Sequence, residues 1–304
     1  MIEISSDDEQ ILPRIKSVAE GRREAFGTPE NPSEWVEITE NNNGLKNYLT
    51  FERRMQMLVR ASLGEEKQVA GSFKSFKEWV SVKNNPDRYF ISLGEEFKAS
   101  GIQEKSIMDM GAGAGAIIGL FEKTGVFPKK LVLTEPKLQY YDYINDRVDR
   151  LCKAPEGQVS THELIGSKVI EGEEGHKIFK LRNRTTGQEF DIETLNRYAG
   201  KDKIQLAGDD KVDSITFSGV AKYYEPEDFK KITDELRPIL SENGNIAFSF
   251  SLDDAPGLDA KVHKMLKKDE AKHPYTQRDI ESLFSKRRVQ SYGDNYVCTL
   301  ENSS

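Results

Sequence analysis

Cysteine and histidine, the usual metal ligands and nucleophile partners, are scarce in this chain. Its 304 residues include two cysteines, Cys152 and Cys298, and four histidines. So few cysteines fit a reducing compartment. They have no metal-ligand spacing, and the scattered histidines add no cluster, so no metal is expected. Both cysteines read as small buried apolar residues. No run of about 18 apolar residues occurs, which excludes an obvious membrane-spanning helix. The opening, Met1-Ile2-Glu3-Ile4-Ser5-Ser6-Asp7-Asp8-Glu9, is acidic where a signal peptide would be basic and then apolar. A cytoplasmic protein is the expectation. Positive charge is also short: 44 Lys and Arg stand against 51 Asp and Glu, a formal net charge of −7. A polynucleotide-binding surface is usually basic. The short basic runs, Lys129-Lys130, Lys267-Lys268 and Lys286-Arg287-Arg288, are each offset by nearby acids. A nucleic-acid partner is therefore disfavoured.

What the chain does have is one dense glycine string. Asp109 to Gly119 reads D-M-G-A-G-A-G-A-I-I-G and follows the short apolar stretch Ser106-Ile107-Met108. An acid, three glycines at alternate positions and an apolar helical run make a strand–turn–helix junction built around a ligand. Glycine takes positive φ and lets a ligand approach the main chain. The next helix begins with unpaired N–H groups. A turn with no ligand needs one glycine rather than three. Gly111, Gly113 and Ala116 fit the G-x-G-x-x-A dinucleotide fingerprint, with a pyrophosphate at the helix start. They also fit D-x-G-x-G-x-G. Asp109 tilts the choice, because a carboxylate aimed at a pyrophosphate would repel it.

The rest of the chain divides at about residue 100. Residues 1–100 read as mostly helical, with Phe51, Met55, Leu58 and Val59 on one face of a helix that Gly64 stops. Asn84-Asn85-Pro86 reads as a break. From Ser106 the pattern alternates strand and helix, which implies a parallel sheet. Strand one is Ser106 to Met110, and its helix is Gly115 to Thr124 with Gly125 as the C-cap residue. Strand two, Leu131 to Thr134, ends in Glu135-Pro136, and Lys137 to Leu151 is amphipathic. Residues 153–202 form an insertion with a hairpin signal: His176 to Leu181, the turn Thr185-Thr186-Gly187, and a return strand Glu189 to Ile192. It reads as a substrate lid, a homo-oligomer contact or a surface elaboration. Lys203 to Ala207 reads as strand three and Ser214 to Phe217 as strand four. Glu227 to Leu240 reads as a helix capped by Asn243-Gly244, and Asn245 to Phe250 as strand five. Asp259 to Lys268 and Thr276 to Ser285 read as helices, the latter capped by Thr276. Arg288 to Tyr292 and Tyr296 to Leu300 make a terminal hairpin.

In order and spacing these pieces resemble the class I S-adenosylmethionine-dependent methyltransferases. That family has a seven-stranded, mostly parallel sheet with helices on both faces and an antiparallel terminal strand. The expected fold is that α/β sheet in residues 101–304, preceded by a helical lid or substrate region in residues 1–100. The resemblance implies S-adenosylmethionine as cofactor. Asp109, Gly111, Gly113 and Gly115 match its first motif, in which the acid faces the methionine end. Glu135 matches the acid that binds both ribose hydroxyls, for which a carboxylate has two acceptor oxygens. Gly208-Asp209 resembles the Gly-Asp after strand three that meets the adenine amino group, and Ser218, after strand four, joins the implied cofactor contacts. Arg237 to Gly244 resembles the turn before strand five. Only three residues separate Asp209 from Asp213, whereas a parallel crossover needs about ten or more. Either the third helix is deleted, or strand three lies earlier, at His176 to Leu181.

The acceptor is less legible. The Asp/Asn-Pro-Pro-Tyr motif of base and amide N-methyltransferases is replaced by Phe217-Ser218-Gly219-Val220, and no Pro-Cys pair follows strand four. Lys222, Tyr223 and Tyr224 are the acceptor-pocket candidates. His263 and His273 are candidate bases, and Tyr48, Trp79 and Tyr89 candidate lid aromatics. A small-molecule methyltransferase is favoured. A protein or RNA methyltransferase, a non-catalytic cofactor-binding module and an NAD-dependent dehydrogenase are the alternatives.

Overall fold

The computed structural model describes residues 55, 58, 59, 61–63, 86–113, 115–153, 159–208, 210–250, 275, 277–284, 287–292 and 295–302. All belong to one compact unit, Met55–Ala255 with Asp269–Ser304. The helix expected over Asp259 to Lys268, the histidines His263 and His273, the lid residues Tyr48 and Trp79, and the cap Thr276 lie outside the described residues. Among the described residues no helix is long and apolar enough to cross a membrane.

Helix α1 spans Pro86–Ala99. Pro86 starts this helix instead of breaking the chain, since proline at the first helical position has no N–H to leave unpaired. Strand β1, Ser106–Met110, leads through the glycine turn into α2, Ala116–Thr124, which Gly125 ends in the left-handed conformation. Strand β2 is Lys130–Thr134 and α3 is Leu138–Leu151. Three strands follow: β3 His162–Val169, β4 His176–Asn183 and β5 Glu189–Leu195. Then come β6 Val212–Phe217, α4 Pro226–Leu236, β7 Leu240–Phe250, α5 Gln277–Leu283, β8 Arg287–Tyr292 and β9 Asn295–Glu301.

The strands form one nine-stranded sheet ordered β3-β4-β5-β2-β1-β6-β7-β9-β8. β5, β2, β1, β6 and β7 are parallel. β9 is antiparallel to both β7 and β8. β3 and β4 extend the other edge as an antiparallel meander onto β5. The third parallel strand is therefore β5. Neither Lys203 to Ala207 nor His176 to Leu181 fills that role: the first is coil, and the second is antiparallel β4. Sixteen residues, 196–211, cross from β5 to β6 without a helix, which resolves the spacing conflict. Ile204 and Leu206 alternate because this coil lies on the sheet and packs them into the core. The return strand of the hairpin and strand three are one segment.

The approach to β7 also differs from the expected long helix. The helix stops at Leu236, a single 3-10 turn covers Arg237–Ile239, and β7 begins at Leu240. Pro238 cannot donate the helical bond to the Asp234 carbonyl. Asn243-Gly244 thus caps no helix, and marks an irregularity where β7 and β6 pair between Leu240 and Asn245.

Side chains alternate across the sheet. One face carries Met108, Val132, Leu195, Ile215 and Phe217, which pack with Phe229, Ile232 and Leu236 of α4 and Ile280 and Phe284 at α5. The other face meets α1, α2 and α3: Phe97 packs edge-on against Phe121, and Asn145 accepts a hydrogen bond from Thr194 of β5 at 2.8 Å. Met55, Leu58 and Val59 are buried, as their helical spacing predicts, Ala61 is buried beside them, and Phe51 lies outside the described residues. Asn245 Nδ2 ties this helix to β7 through the Ser62 carbonyl at 3.0 Å. Cys298 is buried in β9 and Cys152 is half-buried.

Candidate active site

The strand order reverses direction between β1 and β6, and ligands in such sheets bind beyond the carboxyl ends of the strands at this point. The glycine turn lies there. Gly111, Gly113 and Gly115 have φ of 67°, 55° and 70°, a region that L side chains avoid. A Cβ on Gly111 would stand 2.8 Å from Val220 Cγ2, so its bareness serves packing against the loop after β6. A Cβ on Gly113 would meet nothing within 4 Å. Gly113 therefore borders open space on the side where a side chain would stand.

Glu135 lies directly beyond β2 and is buried. Its Oε2 accepts the Gly113 N–H at 2.8 Å, and its Oε1 accepts the Lys137 N–H at 3.0 Å. Each carboxylate oxygen can accept a second donor. The turn is tied down further by the Ala112 N–H, which donates to the Thr134 carbonyl at 2.8 Å.

Asp109 is buried on the α2 side of β1 and accepts a hydrogen bond from Thr216 Oγ1 at 2.8 Å. Burial pushes its carboxyl up to about 7. The Thr216 hydroxyl opposes that rise, and the Glu135 carboxylate adds to it. A buried carboxyl beside a second acid is a site that gains from an incoming cation.

Ser218 follows β6, and its buried Oγ has no hydrogen-bond partner among the described residues. Such orphaned groups are uncommon. Gly219, at φ 68°, donates its N–H to Ser249 Oγ at 2.9 Å and fixes the turn. Lys222 and Tyr223 sit on the 3-10 turn Ala221–Tyr223, with Tyr223 exposed and Lys222 Nζ 5.4 Å from its ring centre. Tyr224 is directed elsewhere. It packs against Tyr198 and Phe229, donates its hydroxyl to the Ala199 carbonyl at 3.3 Å, and has its pKa raised by burial.

The premise for Asp209 does not hold. Asn196 follows the third parallel strand. Asp209 lies outside the described residues, and its neighbour Asp210 accepts a hydrogen bond at 2.7 Å from Nζ of Lys130, which starts β2 at the opposite end of that strand from Glu135.

Sequence reasoning missed the buried charges beneath the 196–211 crossover. Glu193 forms an ion pair with Lys130 at 2.6 Å, contacts His176 Nε2 at 2.6 Å, and accepts the Ala207 N–H at 2.9 Å. His176 Nδ1 contacts Glu173 at 2.7 Å. Burial works against a charged His176, but the two carboxylates outweigh it and raise its pKa. Alternation gave no signal: Glu193 and His176 share strand faces with the exposed Glu189 and Lys180, opposite the buried Phe190, Ile192, Phe179 and Leu181. Thr216 and Thr134 were equally hidden in strand positions that any β-branched residue suits. Among the described residues no group of three His, Cys, Asp or Glu could hold a metal ion.

Together the order of the parallel strands, the reversed β9 between β7 and β8, and the glycine turn after β1 define a Rossmann-like fold of the class I methyltransferase type. No protein-family model matches this chain, and no curated protein matches it in sequence. Solved structures resemble it distantly. Magnesium protoporphyrin IX methyltransferase from Synechocystis PCC 6803, with bound S-adenosylhomocysteine, is 12% identical over 82% of this chain and all of its own, at a TM-score of 0.42. The N-methyltransferase NodS from Bradyrhizobium japonicum, with the same ligand, is 14% identical over 83% of this chain and all of its own, at 0.40. PigF with S-adenosylhomocysteine is 14% identical over 84% of this chain and 69% of its own, at 0.43. At these values the likeness carries no weight on activity or acceptor; the fold assignment rests on the strand order.

Proposed function

We propose that this protein is an S-adenosylmethionine-dependent methyltransferase acting on O, N or C of a small-molecule acceptor. One observation carries the choice of cofactor: β9 runs antiparallel between β7 and β8. The dinucleotide fold, ordered 3-2-1-4-5-6, has no such reversed strand. The residues at the strand ends fit the cofactor. Gly113 borders open space beside the cleft, Glu135 presents a buried carboxylate directly beyond β2, and the buried Ser218 Oγ has no hydrogen-bond partner among the described residues. When bound, the cofactor supplies a methyl group already activated on a sulfonium.

The chain's own work is binding and orientation. Glu135 takes the ribose hydroxyls. Asp109 favours the cationic end. Ser218 and the turn after β6 line the donor side, and Lys222 and Tyr223 line the acceptor side. Tyr224 shapes that wall through packing. The net charge of −7 favours a small acceptor over a polynucleotide.

The test is incubation with S-adenosylmethionine and a panel of hydroxyl-, amine- and carbon-acid acceptors, read by mass spectrometry for S-adenosylhomocysteine and a methylated product. Release with a small acceptor supports the reading. Release only with protein or RNA would move the acceptor class. Absence of turnover together with absence of S-adenosylhomocysteine binding would overturn it.

A further inference from the structure

The geometry points to Asn196 as a positioning residue for Glu135, linking the β3–β4 hairpin to recognition of the ribose; this rests on the methyltransferase reading above. Glu135 stands one residue past β2, where ladder pairing ends. Its N–H donates to the Leu195 carbonyl at 3.0 Å. Its own carbonyl accepts from Asn196 Nδ2 at 2.7 Å. Two consecutive residues at the end of β5 thus hold both main-chain groups of Glu135. Gly113 and Lys137 hold the carboxylate tip, and Asn196 holds its root.

Asn196 is in turn seated on the hairpin. Its N–H donates to the Gly175 carbonyl at 2.7 Å. Gly175 has φ 72°, and a Cβ there would come within 2.6 Å of Asn196 Cβ, so the turn touches Asn196 as closely as glycine permits. Arg197 Nη1 adds a bond to the Glu174 carbonyl at 2.7 Å. The hairpin is therefore built onto the residue that orients the acid, and not merely appended to the sheet edge.

A bond to the main chain of Glu135 sets where its carboxylate sits, so losing that bond should erode discrimination for the ribose hydroxyls specifically. The experiment measures affinity for S-adenosylhomocysteine and for its analogue lacking both ribose hydroxyls, in the full-length wild type, Asn196→Ala and the near-isosteric Asn196→Asp. Thermal unfolding reports folding. The wild type should bind the analogue at least ~10-fold more weakly. In both variants that ratio should shrink to about threefold or less, while the analogue's own affinity changes little. A purely structural loss would weaken both ligands equally and leave the ratio intact, which would overturn the assignment. Loss of cooperative unfolding in both variants would also overturn it, making Asn196 a folding residue. A wild type that binds the two ligands equally removes the ribose role of Glu135 and the inference with it. A wild type that binds neither ligand refutes the methyltransferase reading itself.

Discussion

Gly111 and Gly113 show how two residues with similar backbone angles can serve different ends. Gly111→Ala adds a clash with Val220 to a positive φ, whereas Gly113→Ala adds strain alone. Gly111→Ala should therefore destabilise by about 1–3 kcal/mol or more, and Gly113→Ala by less. Gly113→Ala should nonetheless lose more S-adenosylhomocysteine affinity per unit of stability lost. Chemical unfolding and calorimetry on the two variants separate the roles; equal effects would refute them. Asp109 gives a pH prediction. Its folded carboxyl titrates near 7, well above its ordinary value of 3.8. Between those values the folded state holds more protons than the unfolded state, so stability falls as pH rises through the window. Asp109→Asn should remove that slope and stabilise the empty protein above neutrality by on the order of a few kcal/mol. The ionised form attracts the ammonium group at the amino acid end of the ligand, so wild-type affinity for S-adenosylhomocysteine should rise with pH to a plateau above about 7. A flat profile would contradict this.

At the scale of elements, the crossover after β5 has no helix and is held by charge instead. Lys130, Glu193, His176 and Glu173 form its floor. His176 has its pKa raised, so its contribution is complete below about 6.5 and is lost as pH rises through the folded value. Glu193 has its pKa lowered, despite burial, by His176 and Lys130; its contribution is lost as pH falls through the folded value. Glu193→Ala leaves Lys130 only Asp210 and His176 only Glu173 as carboxylate partners, and should destabilise by about 1.5–3 kcal/mol, read by urea unfolding. A loss under about 1 kcal/mol would mean the network does not hold the crossover. The same element explains what the sequence concealed. β5 reads E-F-D-I-E-T-L, and its buried Glu193 made a central strand look like a half-exposed hairpin strand. The crossover reads K-I-Q-L-A, and one-sided packing of Ile204 and Leu206 gave coil the period of a strand. Where the backbone itself demanded glycine, as at Gly111 to Gly115 and Gly125, element boundaries were legible to within a residue. Where partners distant in sequence decide, as Asn196 and Thr216 do for Glu135 and Asp109, no local pattern could reveal them.

For the whole molecule, the compact unit begins at Met55. Removing residues 1–54 should leave cooperative thermal unfolding of this unit in place. Loss of cooperative unfolding would contradict its independence. The central claim is that the cleft at the ends of β1, β2 and β6 takes a sulfonium cofactor rather than a dinucleotide. Isothermal titration of the full-length protein with S-adenosylhomocysteine and, separately, with NAD tests it most directly. The expected result is saturable binding of S-adenosylhomocysteine that Glu135→Ala abolishes or weakens at least ~10-fold, and no binding of NAD. Saturable NAD binding, or no binding of S-adenosylhomocysteine, would contradict it.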